Sequence, residues 1–205
     1  CWLRRNSMAL TPAQAAALKA AIDSTPAWSA YSNTTDGHID LAAVLNATAA
    51  PAFPVWVTNF DVSTLLDNVD QSKYTPNDTI SQANTDIASL TRMHARAIYC
   101  QTKLMVLQNY VIGRTSVNMA PPKVRTSLLD AITGIPAGAN GAAVDAANNA
   151  GAAVFNKATR SATEGERVLC KASAGSDITA GVTARVMTFE GNLTAADVAQ
   201  ARAVQ

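Results

Sequence analysis

The chain has 205 residues, 48% of them hydrophobic but only 5% aromatic, with 15% charged and a formal net charge of +1. So balanced a chain has no bulk field to hold nucleic acid or an anionic membrane, and its length and alanine-rich apolar content suit one mostly helical domain. Charge well below the roughly 25% usual in soluble domains fits either a Thr/Asn/Gln/Ser surface or one covered by partners.

Its three cysteines, Cys1, Cys100 and Cys170, are far apart and odd in number. That excludes a disulfide framework or zinc spacing as a sequence reading. No apolar run reaches the roughly 18 residues of a membrane span. The opening CWLRRNSMALTPAQ carries an arginine pair without an apolar core and does not read as a signal peptide. Met8 reads as a start and residues 1–7 as an N-terminal extension.

Thr11-Pro12 predicts a helix start, with Leu18 and Ile22 on one face. Residues 24–36 read as a break, Asp36-Gly37 as a turn, and 38–49 as a second helix with Leu41, Val44 and Leu45 inward. Val55–Phe60 reads as a strand, and Asp61 or Ser63 as the cap of a short helix. A helix of about 50 Å is expected over 79–112. Its apolar positions include Ile87, Leu90, Ile98, Met105 and Ile112, and Gly113 ends it. Pro121-Pro122 opens another helix, stopped by Gly134; GIPAGANG reads as a loop. A second long helix with an alanine stripe is expected over 142–171, then a flexible loop. A strand at Val186–Phe189, a Gly191 turn and a helix capped by Thr194 close the chain. LTPAQAAALKA at Leu10 echoes LTAADVAQARA at Leu193, read as two similar helix starts rather than a repeat. The fold expected is a mostly α bundle on a long antiparallel helix pair, with a small β element near 55–60 and 186–189. Residues 8–205 are read as one domain, with 172–205 as a partner-contacting segment.

Chemical motifs are sparse. His94 and Cys100 lie six apart and face different sides of a helix, so no Cys–His nucleophile is expected. No nucleophile elbow, metalloprotease motif, phosphate loop or acid pair occurs. No catalytic, cofactor or metal residues are expected, and the chain is not read as an enzyme. Arg92, Arg96 and Lys103 form a basic stripe on the long helix, able to meet DNA phosphates or a partner's carboxylates. Trp2 and Trp28 sit in irregular stretches, where aromatics serve as interface anchors.

Met187-Thr188-Phe189-Glu190-Gly191-Asn192-Leu193-Thr194 resembles an M-T-F-E-G-x-L-T pattern of small tailed-bacteriophage virion proteins of the head–tail module. Leu10-Thr11-Pro12-Ala13-Gln14 with Leu18-Lys19-Ala20, Val55-Trp56-Val57 and Cys170-Lys171 extend the resemblance; the alanine-rich stretch 137–153 departs from it. The resemblance implies a virion structural protein assembled in the bacterial host cytoplasm. By analogy it is a head–tail connector or adaptor subunit beneath the portal, in a homo-oligomeric ring taken as a dodecamer. Portal and tail proteins would be its partners, with passive contact to packaged DNA and no membrane. The C-terminal segment, with Met187, Phe189 and Leu193, would then enter a neighbouring subunit. A capsid decoration or tail-tube-proximal protein is the alternative, and a virion-associated hydrolase the alternative of another class.

Overall fold

A computed structural model describes residues 9–74, 87–136, 144–145, 150–170 and 176–205. The described residues are mostly helical, with short strand pairs.

Thr11 caps α1 (Pro12–Ser24). Gln14 N–H donates to the Thr11 hydroxyl (3.3 Å) while Gln14 Oε1 accepts from Thr11 N–H (3.0 Å). The break expected over 24–36 holds a one-turn helix, α2 (Pro26–Ser29). Asp36-Gly37 is not a turn: it lies in the first turn of α3 (Thr35–Leu45), where Gly37 N–H donates to the Thr34 hydroxyl. A Cβ on Gly37 would stand 2.1 Å from the Ser32 carbonyl oxygen, so the close approach requires glycine.

The strand expected over 55–60 is two shorter ones, β1 (Pro54–Trp56) and β2 (Phe60–Asp61). Asp61 caps α4 (Val62–Asp67), accepting from Thr64 N–H at 3.0 Å. After a 3₁₀ turn at Gln71–Tyr74, α5 runs over Ile87–Val111; its expected beginning at Thr79 lies outside the described residues. β3 (Ser116–Val117) pairs antiparallel with β2. α6 (Pro122–Ile132) starts on Pro122 as expected. β4 (Ile135–Pro136) pairs antiparallel with β5 (Val144–Asp145), where a loop and a helix start were expected.

The second long helix, expected over 142–171, does not form as one element. α7 (Gly151–Lys157), β6 (Thr159–Ser161) and α8 (Glu164–Cys170) stand there after β5. Local hydroxyl chemistry outcompetes the alanine stripe. The Thr159 hydroxyl donates to Asn156 O. Thr163 and Glu166 build a fresh capping box, with Glu166 N–H on Thr163 Oγ1 (3.2 Å) and Thr163 N–H on Glu166 Oε2 (3.0 Å).

β7 (Asp177–Thr179) and β8 (Val182–Ala184) form a hairpin. Its two turn residues, Ala180 (φ 53) and Gly181 (φ 81), are both left-handed, as a tight primed turn demands. The strand expected at 186–189 is irregular chain, because β8 sits four residues earlier. A parallel bridge joins Val55 to Arg185, with Arg185 N–H donating to Pro54 O at 3.0 Å. Thr194 then caps α9 (Ala195–Arg202) in a capping box with Asp197.

The sequence reads as one domain; its residues form two compact units, each discontinuous. Unit 1 comprises Cys1–Val55, Arg160–Ser176 and Ala184–Gln205. In it α9 packs on α1 and α3, over a core that includes Leu18, Leu41, Leu45, Leu169 and Val198. The two echoed motifs place apolar residues on either side of their caps, Leu10 with Ala15 and Leu193 with Val198, all buried in this core. Side-chain amides hold both leucine carbonyls: Gln200 Nε2 donates to Leu10 O and Asn46 Nδ2 to Leu193 O, each at 2.8 Å.

Unit 2 comprises Trp56–Thr159 and Asp177–Thr183. There α5 packs on α6 and β4, and Trp56, Phe155, Leu107, Leu128 and Ile132 are buried. Trp56 meets Phe155 edge to face, with ring centroids 6.2 Å apart.

Candidate functional site

The inward face of α5 is not the one its apolar spacing predicts. Met93, Arg96, Cys100, Lys103 and Leu107, spaced by three and four, are the buried positions. Two members of the expected basic stripe therefore lie inside unit 2, at 8% exposure each, and not on an open phosphate-facing surface. The Lys103 ammonium explains its own burial. It donates to the Asp130 carbonyl oxygen in the last turn of α6 and stands 3.4 Å from Asp130 Oδ1, satisfying a helix C-terminus with a cation. The Arg92 side chain lies outside the described ones.

Turning this face inward turns the other outward. Ile87 (78% exposed), Ile98 (52%), Tyr99 (57%), Met105 (57%) and, just beyond α5, Ile112 (70%) face solvent among the described residues. Ile98, Met105 and Ile112 recur every seven residues and so form one stripe. The residues exposed beside them are Thr91, His94, Ala95, Gln101, Thr102, Gln108 and Asn109, none of which carries a formal charge. A cleft of about 500 Å³ opens at one end, among Ile87, Leu90, Thr91, His94 and Ile98. An exposed helix face with apolar side chains at this spacing and no charge among its described side chains is suited to burial against protein.

The residues expected at a subunit contact are placed otherwise. Trp2 lies outside the described residues. Trp28, Phe189 and Leu193 are buried in the core of unit 1, with 9%, 6% and 3% of their surface exposed. Met187 is half-buried, its sulfur accepting from Arg160 Nη2 at 3.5 Å. The M-T-F-E-G segment is held within unit 1 by Glu166, which is 1% exposed. This carboxylate takes both Arg160 terminal nitrogens at 2.7 Å, Gly191 N–H at 2.9 Å and Thr163 N–H at 3.0 Å. Glu190 adds a second carboxylate 3.6 Å from Arg160. Burial pushes the Glu166 pKa up, but Arg160 and the two backbone donors outweigh it and hold the carboxyl below its ordinary value. Nearby, burial raises the Cys170 thiol against the opposing pull of the Thr188 and Phe189 N–H groups, which favours the inert thiol form. No sequence feature singled out Arg160, but T-x-x-E at Thr163–Glu166 is a legible capping signature.

Unit 2 has a buried cation. Arg125 is fully buried, and its guanidinium lies 4.4 Å over the Trp56 ring. It donates to Met119 O (2.7 Å), Ala120 O (2.6 Å), Thr179 Oγ1 (3.1 Å) and Asp177 Oδ2 (3.0 Å). Trp56 Nε1 is buried with no acceptor among the described residues. Arg125 shares the inward face of α6 with Leu128 and Ile132, and that spacing was the signal available for its burial.

These centres have the chemistry of anchors: apart from the Trp56 indole N–H, their donors and acceptors are matched to each other. The surface that faces outward with unmatched character is α5. No described helix is long and apolar enough to cross a membrane. Compared with protein-family models, with curated proteins and with solved structures, the chain matches none.

Proposed function

We propose that the chain is a structural protein of a tailed-phage virion, a head–tail connector subunit that assembles as a homo-oligomeric ring beneath the portal. The observation that carries the assembly role is the outward face of α5, with Ile98, Met105 and Ile112 in register and, among the described side chains of α5, no formal charge beside them. Burying such a face against a neighbouring subunit removes apolar surface from water at about 25 cal/mol per Å². A ring interface is heterologous, so this face meets a different face of the next subunit. The phage setting rests on the M-T-F-E-G-x-L-T resemblance. In this reading the work is interface burial, not catalysis, and the C-terminal segment shapes unit 1 instead of entering a neighbour.

Sedimentation of the purified chain with and without portal rings tests the connector station. Co-sedimentation with portal is expected. Failure to bind portal at every salt concentration would remove that station and favour a capsid decoration or tail-tube-proximal protein.

A further inference from the structure

Unit 1 carries a second concave feature, a cleft of about 410 Å³ between α1, α2 and α8. Its floor is α1 at Ala17, Ala20 and Ala21, where methyl side chains at three- and four-residue spacing leave the space open. Trp28, Thr25 and Arg167 complete the lining on which the argument rests.

The polar groups here are one-sided. Arg167 Nε donates to Glu164 Oε2 at 2.6 Å, and the two terminal nitrogens of the guanidinium have no acceptor among the described residues. Glu164 is itself fixed, its other oxygen accepting from Ala50 N–H at 2.9 Å, so the arginine is held in place before any ligand arrives. The Thr25 hydroxyl makes no capping bond to α2, and the Trp28 side chain lines the cleft beside it. The Ser24 hydroxyl spends its proton on Ala21 O and carries no charge to balance the guanidinium. Lys19 and Asp23, the nearest charges on α1, pair with each other at 3.2 Å.

A cleft of this size with a small apolar floor, an indole wall and a guanidinium edge without a partner among the described residues is suited to an anion. A guanidinium with its terminal edge open matches a planar carboxylate with two parallel bonds. We propose that the cleft binds a carboxylate group carried on a compact apolar body, in the form of either a free small acid or the C-terminal carboxylate of a peptide. The site is independent of the assembly reading, since every residue in it belongs to α1, α2, α8 or the turn between α1 and α2.

Indole N–H resonances provide the readout, with Trp28 assigned by its loss in Trp28→Phe. Benzoate is titrated against benzamide, and acetyl-glycyl-phenylalanine against its C-terminal amide. Saturable shifts of the Trp28 signal are expected with the carboxylates, with the amides about tenfold weaker or worse. Shifts with benzoate alone identify a small-acid site; shifts with the peptide acid identify a chain-terminus site. Arg167→Gln should abolish the difference between acid and amide. Ala20→Leu, at an exposed helix position that leaves the Glu164–Arg167 pair intact, should block both ligands. The proposal is overturned if neither carboxylate shifts Trp28 at about 10 mM, if acid and amide bind equally, or if both variants bind like the parent chain.

Discussion

Among the described residues each unit has one charge that is almost wholly buried, and the two have opposite sign. In unit 1 it is the anion Glu166, met by a partly exposed Arg160 and two backbone N–H groups. In unit 2 it is the cation Arg125, met by two backbone carbonyls, the Thr179 hydroxyl, Asp177 and an indole face. The difference matters because a carboxylate can be neutralised by a proton within reach of experiment, whereas a guanidinium stays charged. Acid should therefore neutralise the buried charge of unit 1, whereas in unit 2 it can reach only the carboxylates around the buried cation and at the surface, such as Asp177 and Asp61.

The comparison breaks hardest at the C-terminus. Removing residues 186–205 takes Phe189, Leu193, Val198 and Ala201 out of the unit 1 core. Each large apolar side chain is worth about 1.5–3 kcal/mol, and together they rival a domain's whole margin. Hydrogen exchange should show α3 unprotected while α6 stays protected; equal loss in both would contradict the division. Next in size is Arg125→Ala, which leaves Asp177, Thr179 and two carbonyls without their donor. A loss of about 3–5 kcal/mol is expected, read as a lowered urea midpoint with the largest exchange increase in α6 and at 116–119.

Glu166→Ala should cost on the order of 3 kcal/mol by the same reasoning, with exchange rising at 160–166 and 187–193. Its pH signature is more specific. The folded pKa of Glu166 lies below the ordinary 4.5, so its contribution is present in full above that value and is lost as the pH falls through the folded one. The urea midpoint of the parent chain should drop more between pH 6 and about pH 3 than that of Glu166→Gln. Parallel curves would mean that Glu166 gives no acid sensitivity. The smallest effect is at Gly165, where an added Cβ would stand 2.5 Å from Leu193 Cδ1 and 3.3 Å from Leu45 O. Gly165→Ala gains helix propensity of about 1 kcal/mol but overpacks the contact with Leu193. We expect a net loss of about 1 kcal/mol in thermal unfolding, confined to unit 1.

What could be read from the sequence was local. Thr11 with Gln14, Pro122, and Thr194 with Asp197 each specify a helix start through bonds to residues three away or through a fixed φ, and each starts a helix. The second long helix expected from the alanine period does not form because T-x-x-E at Thr163 starts a new helix, with a capping box as local as the others. The hairpin at Ala180-Gly181 was missed because alanine is not the residue that announces a left-handed turn. The outward face of α5 was the hardest to see. Its direction depends on Lys103 reaching Asp130, 27 residues away, and on Met93, Cys100 and Leu107 sharing a face with two cations. Periodicity reports that a helix has an apolar stripe, and in α5 that stripe is the surface left over after packing.

That surface is the basis of the assembly reading, and sedimentation equilibrium of the parent chain beside an Ile98→Glu, Met105→Glu variant tests it most directly. Both substitutions are at exposed positions, so helical circular dichroism should be unchanged. The parent chain is expected to sediment as a closed oligomer of many copies and the variant as the 21.4 kDa monomer. A parent chain that stays monomeric at every concentration, or a variant that assembles like the parent, would contradict the assignment of α5 as the contact face.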